Sequence, residues 1–365
     1  MTPLAGRIAN LIRAHGPISV TDYFALCLAD PDYGYYQTRE PFGAHGDFIT
    51  APEISQLFGE MIGVFMVHAW QQHGAPTPVK LVEIGPGRGT MMADMLRVIA
   101  KLAPPLFETL EVHLVETSER LRGVQRVTLE TYSTKISWHG SFDQVPEGFT
   151  LIAANELFDA IPIRQFVQTK TGFRERMVGL DADDALTFTI GIATLDPSLL
   201  PGETGRVPDG TIFEYAPARQ AVMQTLSERL RTHGGTAVVI DYGHMVTSFG
   251  DTLQAIRNHD FDAALAHPGE ADLTSHVDFE DLARIARDTG VHLNGGLRQG
   301  EFLYGLGIAE RATVLAKDRE PPEQRLIASA VDRLAGEGAG KMGELFKVIA
   351  VSSPAIHLMP FRPVE

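Results

Sequence analysis

From residue 78 onward the chain alternates short apolar runs with stretches whose apolar residues recur every three or four positions. Pro78 to Ile84 is short, apolar and bounded by Pro and Gly, the pattern of a buried parallel strand. Met91, Met92, Met95, Leu96, Ile99 and Leu102 follow at helical spacing, which lays one apolar face of a helix against the sheet. The alternation goes on with a strand from Leu110 to Val115, a helix from about Ser118 to Tyr132, a strand near Ile136 and another from Phe149 to Ala154. A helix from about Ala218 to Thr232 then leads through Gly234-Gly235 into a strand from Thr236 to Ile240. Apolar runs near Val291 to Leu293 and Phe346 to Val351 supply the last strands. Strand and helix in this succession predict an α/β fold around a doubly wound, Rossmann-like sheet.

Two regions depart from the alternation. The first, residues 1–78, is rich in helix signals: Ser19 with Asp22, and Thr50 with Glu53, have capping-box spacing, and Pro52 stands early in the helix that Thr50 would open. That helix carries Ile54, Leu57, Phe58, Met61, Ile62, Phe65 and Trp70 on one face. Between the two helix starts lie Asp30 to Tyr36 and Pro41 to Thr50, a long aromatic and glycine-bearing connection that reads either as a ligand cover or as a loop fastened by its aromatics. The second, residues 163–215, has short strand-like runs at Gln165 to Gln168, Ala185 to Ile190 and Thr211 to Tyr215 around an acidic, Gly/Pro-rich stretch, and reads as a β-rich insertion. The expected organisation is an N-terminal helical extension over 1–78 that covers the ligand site, a first part of the core over 79–162, the insertion over 163–215, and the rest of the core over 216–365. Within the last part, residues 252–286 read as a mainly helical insertion.

Composition narrows the partners. A hydrophobic fraction of 44% permits a large core, and no stretch approaches the roughly 20 apolar residues of a membrane-spanning helix. Met1 to Gly16 is amphipathic and lacks a signal-peptide core, so a soluble intracellular protein without membrane insertion is expected. Cys27 is the one cysteine, which excludes an intrachain disulfide and a cysteine-based zinc site. No His-Glu-x-x-His spacing occurs, and no metal is expected. A net charge of -15 without a basic cluster argues against nucleic acid and favours a basic protein or peptide.

The most telling stretch is Val82-Glu83-Ile-Gly85-Pro-Gly87-Arg-Gly89-Thr90, an apolar strand that ends in an acid and then three glycines at alternate positions. Glycines there let the backbone turn tightly and approach a ligand. A dinucleotide fingerprint fails because Thr90 stands where its last glycine belongs, and a Walker loop fails for want of its Lys-Ser/Thr pair. Pro86 offers no N–H donor and Glu83 brings negative charge, which suits a pyrophosphate poorly. A carboxylate beside a glycine turn suits a cation without phosphate, as in S-adenosylmethionine. The alternative is that the glycines only tighten a strand-to-helix connection.

Further blocks carry a family resemblance. They are Asp30-Pro-Asp-Tyr-Gly-Tyr-Tyr36, Gly46-Asp-Phe-Ile-Thr-Ala-Pro-Glu-Ile-Ser-Gln-Leu-Phe-Gly-Glu60, Glu83-Ile-Gly-Pro-Gly-Arg-Gly-Thr90, Ala154-Asn-Glu-Leu-Phe-Asp-Ala-Ile-Pro162, Asp241-Tyr-Gly243, Gln299-Gly-Glu-Phe-Leu303 and Met342-Gly-Glu-Leu-Phe-Lys347. On these the chain resembles the MidA family, methyltransferases associated with mitochondrial complex I assembly and their bacterial relatives. The resemblance implies a class I S-adenosylmethionine methyltransferase core with an N-terminal helical extension and inserted segments. It also implies symmetric dimethylation of an arginine on a subunit of the respiratory NADH dehydrogenase, in the cytoplasm of a bacterium or the mitochondrial matrix of a eukaryote. The oligomeric state is not legible.

Candidate site residues follow from position on such a sheet. Glu83, Gly85, Gly87, Gly89 and Thr90 form the cofactor turn. Glu116 ends the second strand, where doubly wound folds place an acid on ribose hydroxyls; its other reading is a solvated acid at a helix start. Phe142 and Asp143 follow the third strand, where an adenine would stack on a ring and donate its amino group to a carboxylate. Asn155, Glu156 and Asp159 follow the fourth strand beside the switch point and are expected to face the transferred methyl, with Asn155 also touching the cofactor. An arginine acceptor stays protonated near neutral pH, so Glu156, with Asp159, is expected to clamp its guanidinium by charge-assisted hydrogen bonds. The bland reading has Asn155 and Glu156 capping a helix and Asp159 exposed. Asp241 and Tyr242 end the fifth strand as candidate pocket lining, and His276 is either a late proton acceptor or a structural histidine. The paired-glutamate loop of better known arginine methyltransferases is missing. Other functions compatible with the sequence are a small-molecule methyltransferase and a non-catalytic cofactor-binding assembly chaperone; a dehydrogenase fits least.

Overall fold

A computed structural model describes residues 2–38, 50–202 and 207–362, which divide into two units. The larger takes in residues 49–157, 223–245 and 279–365. Its strands are β1 (Val79–Ile84), β2 (Leu110–Val115), β3 (Ile136–His139), β4 (Thr150–Asn155), β5 (Gly235–His244), β6 (His292–Arg298) and β7 (Phe346–Ser353). They lie in the order β3-β2-β1-β4-β5-β7-β6. The strands from β3 to β5 run parallel, and β7 is antiparallel to both β5 and β6. Every residue of β1 and of β4 is buried, as parallel strands covered on both faces require. Chain order reverses between β1 and β4, so Glu83 and Asn155 sit at the carboxyl edge of the switch point, where ligands of such sheets gather.

The helices that position this edge are α1 (Ala51–Ile54), α2 (Gln56–Gln72), α3 (Thr90–Leu102), α4 (Glu119–Thr128) and α5 (Ile308–Ala316). The single helix expected after Thr50 is two helices. Thr50 makes no side-chain cap, and Ser55 is extended at φ -164°, ending α1 and capping α2 through Leu57 N–H. The apolar face of α2 packs with that of α3 in the main core, joining Phe58, Met61, Ile62 and Phe65 to Met91, Met92 and Met95. Glycine brings these helices together: a β-carbon on Gly59 would stand 2.7 Å from Asp94 Cβ.

The smaller unit takes in residues 1–48, 158–222 and 246–278. Its helices Pro3–His15 and Val20–Ala29 bury Leu4, Ile8, Ile12, Tyr23 and Phe24, and Ser19 Oγ caps the second by accepting from Asp22 N–H at 2.9 Å. Its five-stranded sheet runs Ile18–Ser19, Gly172–Leu180, Arg164–Thr169, Ile212–Tyr215, with Leu186–Thr194 also paired to Gly172–Leu180. Residues 252–278 are not helical as expected: they give strands Gln254–Arg257, Asp260–Asp262, Asp272–Thr274 and Val277–Asp278, and helix begins only at Phe279. The reason is a tight turn at Asn258 and His259, both at positive φ (53° and 67°), which reverses the chain into a hairpin. Residues 41–49 of the expected ligand cover lie outside the described residues. Among the described residues no helix is long and apolar enough to cross a membrane.

Candidate functional site

The site begins where β1 stops. Glu83 is 2% exposed, and its Oε2 is buried with no hydrogen-bond partner. Burial and then the charge of Asp94 push its carboxyl up to about 8, while the Met92 backbone N–H pulls the other way. After it Gly85, Gly87 and Gly89 all take positive φ, at 69°, 52° and 82°, so the alternate glycines are the residues this turn needs. Gly85 N–H donates to Val115 O at 3.0 Å and Gly89 N–H to Pro86 O at 2.8 Å, which fixes the turn between β2 and the start of α3.

Glu116 is buried rather than solvated, at 8% exposure. Its Oε1 accepts from Ser118 N–H at 2.8 Å, and burial raises its carboxyl against those hydrogen bonds. Gln125 of α4 joins it to the turn: Nε2 donates to Gly87 O at 2.8 Å and to Glu116 Oε2 at 3.3 Å, and Trp138 Nε1 donates to Gln125 Oε1 at 2.9 Å. Neither Gln125 nor Trp138 was expected at the site. Their signal is thin, since a lone glutamine beside Arg126 on a helix that also carries Glu119, Arg120 and Arg122 looks like any surface residue.

The Thr90 side chain is engaged by α1. Oγ1 donates to Glu53 Oε1 at 2.6 Å, and Arg88 Nε stands 4.0 Å from Glu53 Oε2. Glu53, read only as a capping residue, thus belongs to the turn. Phe142 is half-buried with the Arg229 guanidinium 5.2 Å over its ring, and Asp143 is exposed.

At the end of β4, Asn155 is 8% exposed with Oδ1 buried and unpartnered, while Nδ2 donates to Glu156 Oε1 at 3.0 Å. The same Oε1 accepts from Ala51 N–H of α1 at 3.3 Å. Glu156 itself sits at φ 51°, a left-handed conformation that a non-glycine residue adopts at a cost of about 1–2 kcal/mol. No helix starts here, so the capping alternative for this pair fails. Asp241 is fully buried and accepts from Tyr242 N–H at 2.9 Å, and Tyr242 meets Phe346 edge to face.

Of the expected group, Asn155 and Glu156 belong to the larger unit, which the chain leaves after Leu157. Asp159 belongs to the smaller unit, where it is buried at 6% exposure rather than exposed. His276 lies in the same unit, and buried Arg219 ties the two segments: Nη2 donates to Asp159 O at 3.1 Å and Nη1 to His276 O at 2.6 Å. Burial, and then the charges of Asp272 and Asp159, hold the Tyr36 hydroxyl well above its ordinary range.

The set offers buried carboxylate and amide oxygens with unfilled acceptor capacity around a glycine turn. These suit a ligand that brings N–H donors and positive charge. Comparison with known proteins agrees. A family model of S-adenosyl-L-methionine-dependent methyltransferases matches residues 61–296. The chain is 37% identical to the mitochondrial protein arginine methyltransferase NDUFAF7 of Danio rerio, over 95% of this chain and 86% of that protein. It is 36% identical to the Homo sapiens protein of the same name, over 96% and 83%. A Burkholderia thailandensis protein solved with bound S-adenosyl-homocysteine superposes with a TM-score of 0.84 at 27% identity, covering 97% of this chain and 93% of the other.

Proposed function

Because this chain belongs to the MidA family of S-adenosylmethionine-dependent methyltransferases, we propose that it methylates an arginine of a protein partner, forming symmetric dimethylarginine on a subunit of the respiratory NADH dehydrogenase. The names of the relatives support the arginine acceptor, and the observation that carries the reading is Glu156. A charged residue held in a left-handed conformation at the switch point, with one oxygen fixed by Ala51 and Asn155, is strain that packing alone does not require.

The cofactor supplies an electrophilic methyl on a sulfonium sulfur. In this reading Glu83 faces the cationic end, which answers the orphaned Oε2, and the three glycines keep Cβ atoms out of its way. Glu116 takes the ribose hydroxyls, and the rim at Phe142 and Asp143 takes the base. Asn155 turns its free Oδ1 to the cofactor while its Nδ2 steadies Glu156. Glu156 accepts N–H hydrogen bonds from the acceptor guanidinium and holds one nitrogen in line with the methyl. Transfer requires that nitrogen to give up a proton, which the Glu156 carboxylate would accept and pass to solvent.

The test supplies radiolabelled S-adenosylmethionine and this protein to lysate of cells lacking its gene, then locates label by mass spectrometry. Label on an arginine of one protein supports the reading. Label in a low-molecular-weight fraction, or none despite measured cofactor binding, overturns it in favour of a small-molecule acceptor or a non-catalytic assembly role.

A further inference from the structure

The segment between β3 and β4 carries Phe142 and Asp143 and has little regular structure of its own. It holds one short helical turn, Phe142–Gln144, closed by Val145 N–H to Phe142 O at 3.0 Å and braced by Gly140 N–H to Gln144 Oε1 at 2.8 Å. Val145 is buried, whereas Asp143, Gln144, Pro146 and Glu147 are exposed. A segment of this kind presents a ring in one orientation only if something outside it holds it there.

Arg229 is that anchor. It stands on the helix Pro217–His233, where Met223, Leu226 and Leu230 recur at helical spacing and are buried, which sets Arg229 at the margin of the apolar face. Its guanidinium donates from Nε to Thr150 Oγ1 at 3.1 Å, from Nη1 to Val145 O at 3.0 Å and from Nη2 to Pro146 O. Cζ lies 5.2 Å from the centre of the Phe142 ring. Thr150 Oγ1 in turn donates to Gly148 O at 2.7 Å, so the fork ties the segment from its helical turn to the start of β4. All three hydrogen bonds go to neutral oxygens rather than to a carboxylate, and only a planar fork serves three such acceptors at once. A cation over one face of Phe142 fixes the ring from that side and leaves the opposite face as the one on which a flat group stacks.

We propose that Arg229 is a positioning residue for the cofactor base: it holds the Phe142 ring and the segment 142–150 so that a base stacked on the ring brings its amino group to Asp143. The inference rests on the reading that Phe142 and Asp143 take the base. The hydrogen bonds of Arg229 reach none of the residues assigned to the methionine and ribose ends, so its loss is expected to fall on recognition of the base.

The experiment titrates S-adenosylhomocysteine and S-inosylhomocysteine calorimetrically into the full chain; the second ligand has oxygen where the first has the amino group of the base. Wild type is expected to bind the adenosyl ligand at least about tenfold more tightly, the worth of one hydrogen bond to a charged acceptor. Arg229→Met keeps an apolar stem and removes the fork, and the preference is expected to shrink below about threefold. A residue that served only to hold its helix in place would change stability, or both affinities together, and leave the ratio alone. Should Arg229→Met fail to fold, Arg229→Lys keeps the cation without the fork and reads the same ratio. The wild-type ratio in either folded variant overturns the proposal. Asp143→Ala separates the two readings. If it keeps the wild-type preference, or if wild type shows none, the placement of the base at this rim fails and the proposal with it. If it loses the preference while the Arg229 variants retain it, only the role of Arg229 fails.

Discussion

The Thr90 hydroxyl donates to Glu53 Oε1 at 2.6 Å, tying the first residue of α3 to a helix 37 positions earlier. That helix, α1, is only four residues long, and its Ala51 N–H also reaches Glu156 at 3.3 Å. One short element therefore braces both the glycine turn and the end of β4. Thr90→Val removes the hydroxyl and leaves the Glu53 carboxylate one donor short, a loss of about 1.5 kcal/mol for a bond to a charged acceptor. Cofactor affinity is expected to fall about tenfold, measured by calorimetry. Unchanged affinity would mean that α1 does not set the turn.

Gly87 turns at φ 52° and offers its carbonyl to Gln125 at 2.8 Å. A β-branched residue is strongly disfavoured there, so Gly87→Val is expected to force the backbone out of the left-handed region, break the link to Gln125 and Glu116, and abolish cofactor binding. The core does not depend on this side chain, so thermal unfolding should still be cooperative. Binding within a few-fold of wild type would displace the cofactor from this turn.

The sheet was legible because its strands are short apolar runs punctuated by glycine and proline, and the run from Val79 to Ile84 admits no other reading. The acid-then-glycine spacing likewise located the turn, since conformational demand at Gly85, Gly87 and Gly89 is written in residue identity. What escaped was made by long-range contact. The link from Thr90 to Glu53 is such a contact, and nothing local in either stretch announces it. The hairpin at Asn258-His259 was missed for a different reason: apolar residues around it fit a helical spacing, and only the tolerance of asparagine for positive φ marked the turn.

Glu156→Gln keeps the shape of the side chain and the hydrogen bonds from Ala51 and Asn155 to its oxygen, and removes the charge. Transfer to the protein acceptor is expected to slow by about a hundredfold or more, in line with loss of one charged group acting on the reacting centre. Cofactor affinity should change less than about threefold, because Glu156 is not assigned to the cofactor. Single-turnover transfer and cofactor titration on the same preparation check both halves; a variant that transfers at the wild-type rate removes Glu156 from the acceptor site.

His113 Nδ1 on β2 and His139 Nε2 on β3 lie 2.9 Å apart, and His139 O accepts the Glu116 N–H at 2.9 Å. A bond between two imidazoles requires one ring to donate and the other to accept, which fails when both are protonated. Burial, then the charges of His139 and Lys80, push His113 down to about 4, and burial also lowers His139. A lowered folded-state value means that the pair stabilises the protein fully above the unfolded histidine range near 6.5 and loses that stability as pH falls toward about 4. The loss is about 3 kcal/mol across the window if His113 carries the effect. Glu83 works in the opposite sense in the cofactor-free protein: its raised value, about 8, means stability present below the unfolded carboxyl range and lost as pH rises toward 8. Between about pH 4.5 and 6.5 the two slopes oppose and nearly cancel, so denaturant unfolding of the cofactor-free protein should show level stability there and a fall from about 6.5 toward 8. His113→Gln removes the opposing slope, so the stability of that variant should fall from about pH 4.5 onward; a variant that keeps the level stretch would assign the offset to other groups.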